Sequence, residues 1–489
     1  MKNWMKQLAC HYEKMRNRYP NDRLLLLFDI DGTIIDMRYM IHYVLQLYDQ
    51  VHNTKYFSQL KIAHITFHEN QLDSFLARLS LPEAEEKKIL SWYIKQRWSS
   101  LAIYESHRPF SGVMEVIRWF QMQPNTYVGL NSGRPETLRE DTLLSLNKLG
   151  RQYKVSFRDE LIYLNSDPEK GIPESKDAGI FHFQRIGFRI VAFIDNEPSN
   201  LEVIAQNRTN KEILLLHADT IFESQRQSLP TNSMSGKQYD IVDLVRERSL
   251  PRNVQFVWHR VNDESNLRSF LDSNVEWAEV DVRTDPATGA LVLRSESFES
   301  SPQKPNEKLL LLSDMFEQIL SANKSIKLDI KEGGDVLDRL LALVEQYKIN
   351  DYYLWFNGRT DVIIESGFQK LMKTHPLAII QCPIDNLIFQ MRQAPEEAHE
   401  YLLLLKSRGV NRFSLSWNTP DLPDILDQMD FWGFSVNIYN VPDLESFLKA
   451  VLLLPKSITS DFNFPKWNYF RRTTGPDRKS IAYQMDEQN

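Results

Sequence analysis

The sequence predicts an α/β protein of two domains: a Rossmann-like parallel sheet with a helical cap, followed by a (β/α)8 barrel of the TIM type. Three observations lead there. The chain has 489 residues, well beyond the usual size of one domain. Continuous apolar runs of strand length alternate with helical patterns in both halves, as in parallel sheets buried on both faces. Between the halves, ESQRQSLPTNSMSGK (223–237) is polar and rich in Ser, Gln, Pro and Gly, the composition of a linker. The expected boundaries are therefore 1–222 for the first domain, 223–250 for the linker, 251–470 for the barrel and 471–489 for a mobile polar tail.

In chain order, MKNWMKQLACHYEKMRNRYP (1–20) reads as a short basic helix, solvated or docked, because it lacks an apolar h-region and a cleavage site. LLLLFDI (24–30), TYVGLNS (126–132) and FRIVAFID (188–195) read as buried strands. The insert after the first of them, about 38–107, is too long for a loop and poor in Gly and Pro. Its segment QLDSFLARLSLPEAEEKKILSWYIKQRW is helical in pattern and predicts a cap over the carboxyl edge of the sheet. Beyond the linker, strand-like runs recur between amphipathic helices: NVQFVWH (253–259), WAEVDVR (277–283), ALVLR (290–294), SIKLDIK (325–331), YYLWFN (352–357), AIIQCP (378–383), RFSLSW (412–417), FSVNIYN (434–440) and SITSD (457–461). Eight or nine such strands predict a barrel. ALVLR is expected to pair locally with WAEVDVR across TDPATG, whose Asp, Pro and Gly are turn formers.

Composition narrows the function classes. With 42% hydrophobic and 25% charged residues the chain is ordinary for a globular protein. A net charge of -7 argues against general affinity for nucleic acid or an anionic membrane. The two cysteines, Cys10 and Cys382, have no partner spacing for a disulfide framework or a zinc site, and such usage fits a reducing, cytoplasmic setting. No apolar run of transmembrane length is present.

Two clusters of residues carry chemistry. Asp29-Ile30-Asp31-Gly32-Thr33 closes the first strand, where ligands bind in an open α/β sheet. One carboxylate can attack a phosphoryl group while the other passes a proton to the leaving oxygen. Carboxylate and phosphate repel, so a divalent cation is needed, and Mg²⁺ suits an all-oxygen site. Asn131-Ser132-Gly133-Arg134 ends the second strand and offers phosphate donors, with Thr33 beside them. Lys176 opens a helix and can neutralise a phosphate; Lys170 competes for that role. Asp195-Asn196-Glu197-Pro198-Ser199-Asn200 ends the third strand and adds a carboxylate for the metal.

DIDGT, NSGRP, the following lysine and IDNEPSN together resemble the four ordered motifs of the haloacid-dehalogenase-like (HAD) phosphohydrolases over about residues 22–220. The resemblance implies an aspartyl-phosphate on Asp29 and Asp31 as general acid/base, with Asp31 lending its backbone carbonyl to Mg²⁺. It implies Ser132 on the phosphoryl group, Lys176 stabilising charge, and Asp29 and Asp195 on the metal. Many members carry a second acid after the motif-four aspartate; here Asn196 stands there, leaving Asn200, and less firmly Glu197, as its partners.

In the barrel, Trp258-His259-Arg260-Val261-Asn262 ends the first strand, Glu279 and Asp281 share one face of the second, and Asp329 and Lys331 lie on the third. Three carboxylates converging near a histidine call for Mg²⁺ or Ca²⁺. HxxN, ExD and the acidic-x-Lys strand resemble the glycerophosphodiester-phosphodiesterase-like barrels, a group that includes sphingomyelinase-D-like and menorin-like proteins. The resemblance implies His259 in catalysis, Lys331 on substrate and Glu279, Asp281 and Asp329 on the metal. Diesterases of this kind use two histidines, and where the second belongs the chain reads Arg294-Ser295-Glu296. A serine cannot shuttle protons near neutral pH as imidazole does. The barrel is thus either a phosphodiesterase or a binding module. Asn357, Trp417 and Asn440 at later strand ends are expected to line its pocket. The partner expected for the whole chain is a small phosphorylated substrate, with peripheral lipid contact allowed by the barrel and no feature fixing an oligomeric state.

Overall fold

The computed structural model describes residues 3–464 apart from 168, 170, 208–209 and 221–227, so the expected tail and Lys170 lie outside the described residues. The chain forms two compact units, Met1–Arg246 and Glu247–Asn489.

In the first unit six parallel strands, β1 (Arg23–Phe28), β2 (Thr126–Pro135), β3 (Ile162–Asn165), β4 (Phe188–Asp195), β5 (Leu214–Ala218) and β6 (Ser233–Gly236), are ordered β3-β2-β1-β4-β5-β6. Leu25, Leu26, Leu27 and Phe28 are fully buried, as a strand covered on both faces requires. After β3 the chain crosses to the far side of β1, so the order reverses between β1 and β4 and leaves a crevice at their carboxyl ends. β6 corrects the boundary expected at 222. Its Ser-Met-Ser-Gly sequence reads as linker, yet it pairs with β5 from Leu215↔Ser233 to Ala218↔Gly236 and belongs to this sheet.

The N-terminal helix Trp4–Arg18 is docked: Trp4, Met5, Leu8, Tyr12 and Met15 are buried, and Trp4 Nε1 donates to the Gln238 carbonyl at 2.7 Å. The insert is helical, with Met37–His52, Leu72–Leu76, Glu83–Gln96 and Ser100–Ser106. Its entry and exit are tied together, since the Asp36 N–H donates to the Arg108 carbonyl and the Phe110 N–H to that of Ile34, both at 2.9 Å. Its residues meet the carboxyl ends of the strands, His68 against Glu197 at 2.8 Å and Trp98 against Arg134 at 5.0 Å from the ring centre.

The second unit is a closed barrel of eight parallel strands: β7 (Gln255–Trp258), β8 (Trp277–Thr284), β11 (Ser325–Ile330), β12 (Leu354–Asn357), β13 (Ile379–Pro383), β14 (Arg412–Ser416), β15 (Val436–Val441) and β16 (Ser457–Ser460). Closure comes from β7, which pairs with both β16 and β8. β8 is longer than its neighbour, and its upper half pairs antiparallel with β9 (Leu291–Leu293), as expected; β10 (Leu310–Leu311) extends that edge. Register places Asp281 beside Asp329, and Asp329 beside Asn357, at the carboxyl mouth.

Candidate active sites

In the first unit, Asp29 directly follows β1 and its N–H still donates to the Ile194 carbonyl of β4 at 2.8 Å, which fixes the carboxylate at the crevice. Asp195, at the end of β4, is fully buried and accepts from Asn200 Nδ2 at 3.0 and 3.1 Å and from the Glu197 N–H at 2.8 Å. Lys176, on the helix Ile172–Arg185, lies between the two. Its ammonium donates to Asp29 Oδ1 and, at 2.6 Å, to the Asn131 carbonyl, and it sits 3.0 Å from Asp195 Oδ2. Asn131 answers by donating from Nδ2 to the Lys176 carbonyl at 2.8 Å. Gly133 lets β2 approach that helix, because a Cβ there would come within 2.9 Å of Ile172. Thr33 Oγ1 stands 3.4 Å from Asp29 Oδ2, and Ser132 is buried alongside.

The electrostatics follow from burial. Desolvation pushes the Asp29 carboxyl up to about 7, against the pull of Lys176 and with the added repulsion of Asp195 and Asp31. Burial opposes the Lys176 ammonium as well, but Asp195 and Asp29 hold it above its ordinary range.

Two residues differ from expectation. Arg134, expected on the phosphate, has a fully buried side chain forked onto Asp31, with Nε 2.7 Å from Oδ2 and Nη2 2.5 Å from Oδ1. Burial raises the Asp31 carboxyl, yet Arg134 more than offsets this and keeps it below the usual range. Arg134 faces Asp31 because Thr142 Oγ1 and His107 Nε2, at 3.0 and 3.2 Å, hold its far side. Glu197 turns instead to His68 of the cap. His107 and His68 belong to no motif; their only sequence signal is a place inside or at the exit of the cap.

In the barrel, one carboxylate oxygen each from Glu279, Asp281 and Asp329 lie within 4.8 Å of one another, the one such group of acids among the described residues. Lys331, expected on substrate, instead bridges the cluster, donating to Asp329 Oδ2 and lying 2.7 Å from Asp281 Oδ1. Two carboxylates side by side attract the nearest ammonium, which rises above its ordinary range through Asp329 and Asp281 despite desolvation. Asn262 donates to Asp281 Oδ2 at 2.6 Å, and Ser295 Oγ donates to the same oxygen. Asn357, expected to line the pocket, donates to Asp329 Oδ1 at 2.7 Å.

His259 Nδ1 is 2.8 Å from Asp461 Oδ1 and Nε2 is 3.7 Å from Glu279 Oε2. Desolvation lowers this imidazole, but Glu279 and Asp461 outweigh it and raise it. Asp461 went unread as a functional residue although it directly follows the last strand. Asn440, expected in the pocket, is exposed with φ 58°, a left-handed turn that asparagine tolerates, and Trp417 is half-buried.

Both donor sets fit a hard divalent cation. In the first unit, burial lifts the Asp29 carboxyl and the neighbouring Asp195 and Asp31 add repulsion, so a further cation is favoured there. In the barrel, three converging carboxylates meet the same test, with Lys331 supplying part of the compensation.

No family model and no curated protein matches the chain. Among solved structures it is similar to a putative glycerophosphoryl diester phosphodiesterase from Agrobacterium tumefaciens, at 13% identity and TM-score 0.35, over 42% of this chain and 93% of that one. It is similar to an Oleispira antarctica phosphodiesterase solved with sn-glycerol-3-phosphate, at 15% identity and TM-score 0.34, over 44% and 94%. It is also similar to a putative phosphatase from Clostridium difficile, at 14% identity and TM-score 0.32, over 46% and 100%. These likenesses are too slight to carry a function; strand order and side-chain geometry carry the architecture.

Proposed function

We propose that the first unit hydrolyses phosphomonoesters of small molecules with Mg²⁺, and that the barrel is a phosphodiesterase-like unit for glycerophosphodiester-type or phospholipid substrates. The observation that supports this best is the interlocked Asp29, Lys176 and Asp195 at adjacent strand ends, with Asp31 two residues on. Asp29 Oδ2, which Lys176 leaves free, attacks phosphorus; the bond to the leaving oxygen breaks and Asp31 delivers its proton there. Water then attacks the aspartyl-phosphate, Asp31 takes its proton, and phosphate leaves with Asp29 restored. Asp29, Asp195 and the Asp31 carbonyl would hold Mg²⁺, which supplies charge neutralisation of the phosphoryl oxygens. Ser132, Asn131 and Thr33 orient those oxygens, and Lys176 favours the ionised nucleophile against the opposing effect of burial.

In the barrel His259, oriented by Asp461, is the one imidazole at the cluster among the described residues. Any cleavage there relies on His259 with either water, whose attack breaks the P–O bond and gives monoester and alcohol directly, or an intramolecular hydroxyl of the substrate, whose attack expels the alcohol and gives a cyclic phosphate that water must then open to the monoester. Ser295, bonded to Asp281 where a second acid/base belongs, favours a second reading, a barrel that binds phosphorylated ligands without turning them over. The two units in one chain form a relay in the first reading, because a diesterase releases the monoester that a phosphatase consumes. The test is phosphate release with Mg²⁺ from monoesters and diesters by wild type, Asp29→Asn and His259→Ala. Asp29→Asn should abolish monoester hydrolysis and accumulate monoester from diesters, while His259→Ala leaves diesters intact. Wild type that cleaves monoesters and no diester establishes the binding-module reading; Asp29→Asn as fast as wild type overturns the nucleophile.

A further inference from the structure

The fork between Arg134 and Asp31 has no place in the four motifs, and its surroundings are built rather than incidental. The guanidinium is gripped from behind by two elements. Thr142, on the helix Arg139–Gly150, accepts from Nη1, while His107, at the exit of the cap, accepts from Nη2. His107 is pushed down to about 3 by burial and by Arg134, so it is neutral and can accept; its Nδ1 lies 2.8 Å from Ser145 Oγ on the same helix. Trp98 of the cap covers the guanidinium. A planar cation held on its back and face presents Nε and Nη2 in one direction, and both oxygens of Asp31 lie there. Asp31 itself keeps 18% of its side chain exposed.

We infer that Arg134 is a positioning residue that aims Asp31 at the leaving-group oxygen, and that the cap, through Trp98 and His107, sets that aim. The inference rests on the phosphatase reading above. Arg134 has no surface of its own with which to touch a substrate, so its effect passes through Asp31. When Asp31 carries the proton, that oxygen becomes a donor and one arm of the fork must let go, while the other keeps the carboxyl in place. The Asp31 O–H then breaks, its proton goes to the leaving oxygen, and the electron pair of the breaking P–O bond stays on that oxygen. Esters of acidic alcohols depart without such a proton; alkyl esters need it.

The test compares an alkyl phosphate with p-nitrophenyl phosphate in the full chain with Mg²⁺, for wild type, Arg134→Met and Arg134→Lys. Arg134→Met should lose kcat on the alkyl ester by about 100-fold, the range of one acid/base contribution, and at least about tenfold more than on the nitrophenyl ester. KM should stay within about threefold for both, since the side chain touches no substrate. Arg134→Lys should recover part of the alkyl-ester rate. Equal losses on both esters would make the role purely structural, and a raised KM with unchanged kcat would return Arg134 to phosphate binding; either overturns the inference. If Arg134→Met does not fold, Thr142→Val removes one rear contact and should shift the same ratio in the same direction. Wild type that cleaves neither ester sinks the phosphatase reading itself.

Discussion

Two unrelated folds in this chain handle crowded carboxylates with the same device and differ in what stands next to it. In the first unit Lys176 ties Asp29 to Asp195; in the barrel Lys331 ties Asp281 to Asp329. Each lysine lies at the carboxyl end of parallel strands, where burial would otherwise drive the acids to take up protons. The first unit, however, keeps a separate carboxylate, Asp31, on its own arginine, whereas in the barrel the neighbouring Ser295 hydrogen-bonds a member of the cluster. An internal cation can thus secure a phosphate-type site, but turnover also needs a proton carrier that the cluster does not consume.

Removing the cations should break the comparison most sharply. Lys176 is 2% exposed and its partners 8% and 0%, so Lys176→Met leaves two buried charges unpaired and should cost about 3–5 kcal/mol, with phosphatase activity lost. Lys331 is 30% exposed, and solvent tempers its loss to about 1–3 kcal/mol for Lys331→Met. Denaturant unfolding followed by tryptophan fluorescence reads both, and added Mg²⁺ should return more stability to Lys176→Met than to wild type. If the two variants are equally mild, the lysines are not counter-ions holding the sites together.

Ser295→His sharpens it from the other side. The position has partners on two segments: Asn262 Nδ2 lies 3.0 Å from Ser295 Oγ, and Arg283 Nη2 donates to the Ser295 carbonyl at 2.9 Å, which pins the backbone there. An imidazole on that backbone starts beside Asp281, the partner of the Ser295 hydroxyl. Diester hydrolysis should rise at least about 100-fold above wild type, the lower end of a well-placed acid/base. No gain in a variant that unfolds like wild type would place the deficit in the barrel elsewhere than at residue 295.

Much of this was legible in the sequence, for physical reasons. Asp29 and Asp31 follow β1, and Ser132 and Asp195 sit toward the ends of β2 and β4, strands whose apolar runs are unmistakable; ligand sites at strand ends are set by topology. The barrel strands were readable for the same reason, as was the hairpin edge formed by ALVLR. What escaped was what depends on tertiary neighbours. β6, Ser-Met-Ser-Gly, is short and mostly small or polar, and is strand only because β5 offers an edge. Arg134 and Lys331 looked like phosphate ligands because a cation next to a motif does; their actual partners come from elements distant in sequence or from side-chain direction. His107 and Asp461 lie outside any motif, and nothing local distinguishes them.

Buried His107 and half-buried His259 give the finest test, because their environments push them opposite ways. His107, dry and beside Arg134, is held down to about 3; His259, beside Glu279 and Asp461, is raised. For His107 the unfolded chain binds a proton near the usual imidazole value of about 6.5 while the folded one does not. Its contribution to stability is therefore complete above that value and is lost as pH falls from there toward about 3. His107→Gln keeps an acceptor for Arg134 but cannot take up that proton. Between about pH 4 and 6 its stability should fall with acid less steeply than wild type, by about 1.4 kcal/mol per pH unit, the slope of one proton. In side-chain NMR of the wild type the His107 resonances should stay those of a neutral ring down to pH 5, while His259 should remain charged above the usual imidazole midpoint. Parallel acid slopes in the two proteins would mean that His107 is protonated in the fold, that it cannot accept from Arg134, and that the rear grip on the Asp31 fork is Thr142 alone.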